Sequence, residues 1–300
     1  MNRFIIDGFN LAYRSHYSHS ELKTSSGLYS GCIYGFLSTA RALKKRFSDS
    51  DFYVVWDTTS KRKKDLFPEY KANRLSVHIN LPIKDLKQIL SYLKITQVEA
   101  QGEEADDVIA SLVNTLPEGR NYIYTNDKDM LQLVKNGKVI VVSPKMGPKA
   151  EQFYDEDTVR AKYGVGPENL ACFFAFKGDK SDNIPGTSVP QKILANLSLK
   201  YNNPSNIYAN IETEQLTTHQ RECLVNKKEQ ILLNINLITL IKDLKYSSIV
   251  GISNEEELTA LLNKYEIKTI TAKSIIELFE KSNAFNHRYG LVSESLFEEI

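Results

Sequence analysis

Acidic side chains carry most of the chemistry that this sequence offers. Gly102-Glu103-Glu104-Ala105-Asp106-Asp107 places four carboxylates within five positions, and like charges gathered that closely require a compensating cation. Asp7, Asp57 and the turn Asn126-Asp127-Lys128-Asp129 each follow a short apolar run, and a further acidic mark stands in Gly178-Asp179-Lys180-Ser181-Asp182-Asn183. A single strand-terminal Asp is ordinarily a turn or cap residue. Five well-separated segments with acids at the ends of apolar runs are not explained that way, and they are expected to converge on one metal site. Oxygen-only ligands select hard cations such as Mg2+ or Mn2+. Two such ions about 4 Å apart can clamp the attacking and leaving oxygens of an in-line phosphoryl displacement. That chemistry needs many carboxylates and a phosphodiester.

A basic segment supplies the complementary half. Lys61-Arg62-Lys63-Lys64 begins a few residues past Asp57, and Tyr70-Lys71-Ala72-Asn73-Arg74 follows it. Such a run is commonly no more than a solvated face. Here Lys71 and Arg74, three apart, would share one helix face; together they could grip a phosphate and offset its developing charge, while Tyr70 could stack on a base. The histidines His16, His19, His78, His219 and His287 match no zinc spacing. Cys32, Cys172 and Cys223 form no zinc pair and no disulfide framework, which favours a reducing compartment.

The elements that must position these groups read as α/β. Phe4-Ile5-Ile6 and Phe52 to Trp56 are short buried strands ending on Asp7-Gly8 and Asp57, with a polar stretch to Ser30 and then a helical pattern over Cys32 to Arg46 between them. Two strands ending on Asp and joined by a helix predict a parallel sheet whose carboxyl edge gathers the acids. Residues 60–82 break the pattern as a protruding basic segment. A core-facing helix runs on from Ile83, with short strands at Ile95 to Val98, Tyr122 to Thr125 and Val139 to Val142. The run from Ala105 to Leu116 keeps helical spacing, so the acidic cluster forms a helix's first turn, where the helix dipole favours carboxylates. After about residue 155 the patterns are helical: Val159 to Tyr163, Leu170 to Phe176, Lys192 to Leu199, Lys227 to Leu240 and Ile275 to Phe279. The 300 residues carry 42% apolar and 25% charged side chains with net charge +1, an ordinary globular balance in which only local clusters point to a partner. No segment reaches membrane-spanning length, so a cytosolic enzyme or binding protein is expected.

In this order the motifs resemble the 5′ nucleases, the flap endonuclease and 5′-to-3′ exonuclease superfamily, in particular its free-standing bacteriophage and bacterial members. The matching pieces are Ile5-Ile6-Asp7-Gly8, Val54-Val55-Trp56-Asp57, Tyr70-Lys71-Ala72-Asn73-Arg74, Gly102 to Asp107, Thr125-Asn126-Asp127-Lys128-Asp129 and Gly178 to Gly186. The resemblance implies a PIN-like fold, a mixed, mainly parallel sheet between helices, with a basic helical arch at about 60–82. A nuclease domain over 1–160 would precede a helical DNA-binding portion over 161–300. It places Asp7, Asp57, Glu104, Asp106 and Asp107 at a first metal site, Asp127 and Asp129 between the sites, and Asp179 with Asp182 at a second. Lys71 and Arg74 would contact the scissile phosphate, with Lys61, Arg62, Lys63, Lys64, Tyr70 and Lys192 as further nucleic-acid contacts; Glu103 reads as solvent-facing. Two Mg2+ or Mn2+ ions would serve cleavage of 5′-flap, branched and RNA-primed DNA, leaving a 5′-phosphate and a 3′-hydroxyl, with a ribonuclease H-like activity on primers.

One departure stands out. The family's glycine-rich hairpin, which holds duplex phosphates with a monovalent ion, is replaced by Thr187-Ser188-Val189-Pro190-Gln191-Lys192. Glycine is what permits close backbone approach, so a degenerate helix-hairpin-helix at about 170–200 with altered duplex anchoring is expected, and the monovalent ion is not carried over. Ser293 to Ile300 reads as a terminal helix rather than a clamp-binding tail. A DNA polymerase, clamp or single-strand-binding protein would be a separate partner in the bacterial cytosol or a phage-infected cell. The rival readings are a PIN-type ribonuclease, which such a long basic arch and helical extension disfavour, and a non-catalytic binder of branched DNA, which has no need of the acids.

Overall fold

The computed structural model describes residues 2–58, 61–73, 81–145 and 151–283, the last three as backbone alone. In chain order the first third gives β1 (Asn2–Asp7), α1 (Gly8–Ser18), α2 (Gly31–Arg46), β2 (Ser50–Trp56), α3 (Arg62–Leu66), α4 (Ile83–Tyr92) and β3 (Thr96–Glu99). Next come α5 (Ala105–Thr115), β4 (Asn121–Tyr124), the 3-10 turn Lys128–Leu133, β5 (Val139–Pro144), β6 (Glu151–Tyr154), α6 (Glu156–Tyr163) and α7 (Leu170–Lys177). The remainder is α8 (Gln191–Tyr201), α9 (Pro204–Ala209), α10 (Thr218–Val225), α11 (Lys228–Ile238), β7 (Ser247–Ile249), α12 (Glu255–Lys264) and α13 (Ala272–Asn283). These elements pack into two compact units, one of Met1–Trp56, Asn80–Glu99 and Tyr246–Ile300, the other of Asp57–Ile79 and Ala100–Lys245.

In the first unit β1 pairs parallel with β2, β2 parallel with β3, and β3 antiparallel with β7. Phe4, Ile5 and Ile6 are fully buried, as are Val54, Val55 and Trp56. Strands apolar on both faces are those of a sheet covered by helices, and α2 supplies such cover through Ile33, Phe36, Leu37 and Ala40. The stretch after Asp7 is a helix rather than a polar loop. Asp7 caps α1 by accepting from the Asn10 amide at 3.1 Å. The buried stripe of α1 is Gly8, Leu11, Ala12 and Ser15, too small and too weakly apolar to register as periodicity. Gly8 is not a turn former. A Cβ there would lie 2.6 Å from the Trp56 ring, so only glycine admits the indole against the start of α1.

In the second unit β4 pairs parallel with β5 and β5 antiparallel with β6; each unit thus carries a parallel pairing closed by an antiparallel edge strand, the mixed sheet expected. Helices dominate after β6. The expected helix over Lys227 to Leu240 is preceded by a separate one, α10, which starts in a capping box between Thr217 and Gln220. Residues Leu170 to Phe176 are apolar on every side, and Phe173, Phe174 and Phe176 are fully buried, which suits a helix enclosed by its neighbours.

The loop between α7 and α8, which carries Asp179 and Asp182, is held by a polar side chain in the core. Asn234 on α11, with no exposed surface, donates from Nδ2 to the carbonyls of Ala175 at 2.8 Å and Pro185 at 2.7 Å. Removing it would leave the buried Ala175 carbonyl without this donor and release the part-buried Pro185 carbonyl. Asn234→Ala is expected to lower the unfolding free energy in urea by about 2–3 kcal/mol.

Candidate metal centre

The acidic helix start is built by a turn that follows β2. Asp57 Oδ1 accepts from the Ala105 amide at 2.9 Å, satisfying a free donor of α5 that Glu104, at the N-cap, leaves open. Thr58 donates its hydroxyl to the Ala100 carbonyl at 2.8 Å and accepts from the amides of Gly102 at 2.8 Å and Glu103 at 3.1 Å. Gly102, at φ +84°, turns the chain into the helix. Sequence reasoning passed over Thr58; its one signal is a hydroxyl residue directly after a strand-ending Asp.

The basic segment closes over these acids. Lys63 on α3 is 2% exposed, and its Nζ lies 2.9 Å from Glu104 Oε2, 3.0 Å from Asp106 Oδ2 and 3.4 Å from Asp107 Oδ2. Lys71 Nζ meets Glu104 Oε1 at 2.7 Å. Burial works to raise the Glu104 carboxyl, yet the ammonium groups of Lys63 and Lys71 outweigh it and hold it down to about 2. Burial likewise works against a charged Lys63, but Asp106, Asp107 and Glu104 prevail and hold its pKa above the ordinary lysine value. The described part of the arch, 61–73, is therefore a lid of counter-charge rather than a protrusion. Helical spacing could not show that, because the partners of Lys63 are about forty positions away.

Tyr70 also differs from expectation. It is 3% exposed, so its ring offers no free face to a base; its hydroxyl donates to Glu104 Oε2 at 3.1 Å and Asp182 Oδ2 at 3.3 Å. The neighbouring backbone is stitched to the acidic loop. The Lys71 amide donates to the Asp182 carbonyl at 2.9 Å, Asn73 Nδ2 to the Lys180 carbonyl at 2.6 Å, and Asn183 Nδ2 to the Glu69 carbonyl at 2.8 Å. Lys71 (φ +57°) and Asn183 (φ +59°) both take the left-handed conformation, which a lysine adopts only where its surroundings hold it.

A second group of acids forms around that loop. One carboxylate oxygen each from Asp129, Asp179 and Asp182 lies within 4.8 Å of the others. Asp127 Oδ1 accepts from the Asp129 amide at 2.8 Å. Asp179 accepts from the Ser181 amide at 2.9 Å and hydroxyl at 2.6 Å, and its Oδ2 pairs with Lys128 Nζ at 3.0 Å. Burial works to raise Asp179, but those bonds bring it below the ordinary carboxylate range. Asp129 is the opposite case. Burial, then the charges of Asp127 and Asp106, push it well above the usual value, and its buried Oδ1 has no hydrogen-bond partner. Burial and Asp106 likewise push Asp127 up to about 6 against the Asp129 amide. Burial, first of all, raises Asp57 as well. An unsatisfied oxygen on Asp129 among buried carboxylates that converge from separate segments fits a hard divalent cation.

Of the acids expected at the first site, Asp107 stands apart. It has no exposed surface, its Oδ1 accepts from the Ile241 amide at 2.8 Å, and its Oδ2 meets Arg62 Nη2 at 2.5 Å. Arg62 Nε also reaches Glu103 Oε2 at 3.3 Å, so Glu103 is part of an ion pair rather than merely solvent-facing. Asp7 lies in the first unit as the cap of α1. Lys61 and Lys64 are exposed beside α3, and Lys192 is exposed in the first turn of α8. Arg74 with the rest of 74–80 in the expected arch, and the segment Ser293 to Ile300, lie outside the described residues. Among the described residues no helix is long and apolar enough to cross a membrane.

A mixed α/β fold with converging, desolvated carboxylates defines a metal-dependent nuclease, and relatives agree. Residues 2–164 match the family model of the 5'-3' exonuclease, N-terminal resolvase-like domain. A 5'-3' exonuclease of Aquifex aeolicus is 33% identical over 249 residues, 80% of this chain and 82% of that protein. DNA polymerase I of Caldicellulosiruptor bescii is 33% identical over 284 residues, 90% of this chain but 33% of the polymerase. The bacteriophage T5 D15 flap endonuclease, solved with DNA and metal ions, shares the fold at a TM-score of 0.63 and 21% identity, covering 93% of this chain and 100% of that one. The catalytic core of Rad2 with DNA substrate does so at 0.60 and 17%, covering 93% and 91%. The chain belongs to the 5′–3′ exonuclease family.

Because both oxygens of Asp107 are already engaged, Asp107→Asn is expected to cost stability, about 2–4 kcal/mol in urea, while Mg2+ titrated calorimetrically still binds. Asp129→Asn should show the reverse, with weakened Mg2+ binding and little loss of stability.

Proposed function

We propose that the protein is a structure-specific 5′ nuclease that hydrolyses phosphodiesters near single-strand/duplex junctions, on 5′ flaps and RNA-primed strands, leaving a 5′-phosphate and a 3′-hydroxyl. The observation that carries the reading is the orphaned, buried Oδ1 of Asp129 beside Asp179 and Asp182. An enzyme that uses its acids only for capping has no reason to leave such an oxygen unpaired. Asp127, Asp129, Asp179 and Asp182 would hold one Mg2+ or Mn2+, and Asp57, Glu104 and Asp106 a second. Cations in those places supply Lewis-acid charge against the phosphodiester oxygens. The resemblance also gives Asp7 a ligand's role, which Asp7→Asn tests.

The chain's own groups do the rest. Lys71 and Arg74 would bind the non-bridging oxygens of the scissile phosphate, with the Lys71 ammonium exchanging Glu104 for phosphate as substrate enters. Lys63, enclosed among Glu104, Asp106 and Asp107, balances their charge. Tyr70 sets the relative position of Glu104 and Asp182 through its hydroxyl. Exposed Lys61, Lys64 and Lys192, with Arg62, would neutralise backbone phosphates, Lys192 as part of a DNA-binding portion over 161–300. Primer removal in the cytosol during replication and repair, alongside DNA polymerase, clamp or single-strand-binding protein, is the setting such a product suits.

Cleavage of a labelled 5′ flap is expected in Mg2+ and is abolished by EDTA. The double variant Asp179→Asn/Asp182→Asn should lose at least about a hundredfold in rate; unchanged cleavage would remove from the proposal the cation assigned to Asp127, Asp129, Asp179 and Asp182. Tyr70→Phe separates positioning from stacking. A ring that stacks works as well without its hydroxyl, whereas loss of the bridge should lower kcat by about tenfold with flap affinity retained.

A further inference from the structure

One reactive cluster has no part in the acid and lysine machinery. On α10, His219 and Cys223 stand four apart on one helix face, with Cys223 Sγ 3.6 Å from His219 Nε2. The same sulfur lies 3.3 Å from the hydroxyl of Ser188. Ser188 belongs to Thr187-Ser188-Val189-Pro190, the segment that replaces the glycine-rich hairpin of the family.

The three thiols differ sharply in what they can do. Cys32 and Cys172 are buried, and burial pushes them up to about 12 and about 11, so both remain inert thiols. Cys223 is only partly buried and His219 is exposed. An imidazole against an accessible sulfur can take the thiol proton and deliver the nucleophilic thiolate. The pair places an accessible sulfur beside an imidazole, and the loop across from it meets the same sulfur through Ser188.

That loop has little room to yield locally. Its backbone is fixed by Thr187 N to the Phe176 carbonyl at 2.8 Å, Lys227 Nζ to the Gly186 carbonyl at 3.1 Å, and Asn234 to the Pro185 carbonyl. Gly186 is pressed so closely on Lys177 that a Cβ would stand 2.0 Å from its carbonyl oxygen. A substituent on Cys223 would stand against Ser188, in the segment that joins Asp182 to Lys192.

We propose that Cys223 is a thiol-modification site at which a low-molecular-weight disulfide of the glutathione type weakens DNA binding through the Thr187–Pro190 loop. The regulatory half rests on the DNA-binding reading above. In the exchange the Cys223 proton passes to His219, and the thiolate attacks one sulfur of the disulfide. The old S–S bond breaks as the Cys223 S–S bond forms. The leaving thiolate recovers the proton from His219. Cys223 is oxidised to the mixed disulfide, and the small disulfide is reduced to one equivalent of thiol.

The test treats the full chain with oxidised glutathione and follows intact mass, peptide mapping and flap binding in Ca2+. One adduct, mapped to Cys223 and missing in Cys223→Ser, is expected. His219→Gln should slow its formation by about tenfold. Flap affinity should fall by about five- to tenfold on modification and return with dithiothreitol, while Cys223→Ser stays unresponsive. Adducts that form first on Cys32 or Cys172, a rate indifferent to His219, or a fully modified Cys223 with unchanged flap affinity would each overturn the proposal. An unmodified protein that binds no flap overturns the functional reading and the regulatory half with it, while the adduct map and its His219 dependence still decide whether the site exists.

Discussion

Carboxylates withdrawn from water repel one another and lose hydration at the same time, and the second unit of this protein is arranged around that cost. It meets the cost in two ways. Around Glu104, Asp106 and Asp107 the answer is internal, three cationic side chains drawn from Arg62 to Lys71 and bonded at 2.5–3.4 Å. Around Asp127 and Asp129 the answer is incomplete, and burial shows there as raised carboxyl groups and an Asp129 oxygen with no partner. The same residue type thus holds opposite electrostatic states according to which cations its neighbours bring. The incomplete half is where an external cation gains most.

This division also explains why the described part of the basic segment, 61–73, is packed down on the acids. A buried lysine is stable only when its partners outweigh its desolvation, and Lys63 has three. Tyr70 and the backbone of Glu69 to Asn73 add uncharged ties to the loop bearing Asp179 and Asp182. On the proposed function, substrate phosphate entering such a centre would compete with carboxylates already bonded to lysine, and binding would be an exchange of partners rather than a simple gain of charge contacts.

Much of this was legible in the sequence where a strong local pattern coincides with the final environment. β1, β2, β4 and β5 are short apolar runs and were readable as strands, and α2, α5 and α7 announce themselves by spacing or by unbroken apolar character. β6 and β7 were not readable, because Glu151-Gln152-Phe153-Tyr154 and Ser247-Ser248-Ile249 are short and partly exposed edge strands. α1 escaped because its buried face, Gly8, Leu11, Ala12 and Ser15, holds a single large apolar side chain, with Gly8 set against Trp56. The acids could be picked out by type. Their individual states could not, since whether Asp107 anchors Ile241 or Asp129 keeps a bare oxygen depends on residues far away in the chain. Lys63 and Tyr70 look like surface groups in a linear reading for the same reason.

The hydroxyl of Tyr70 reaches Asp182 across 112 positions. Closing a loop of that length costs about 4 kcal/mol in chain entropy, apart from a constant term, more than any one of the bonds between Glu69–Asn73 and Lys180–Asn183 returns. These ties support one another, and the loop that they reach is held in turn by Asn234 on α11. During synthesis the ribosome must release most of the second unit before those parts of the centre can close. A truncated or partly folded chain carries the acids in its sequence without assembling the site, and the timing of activity is written into contact order.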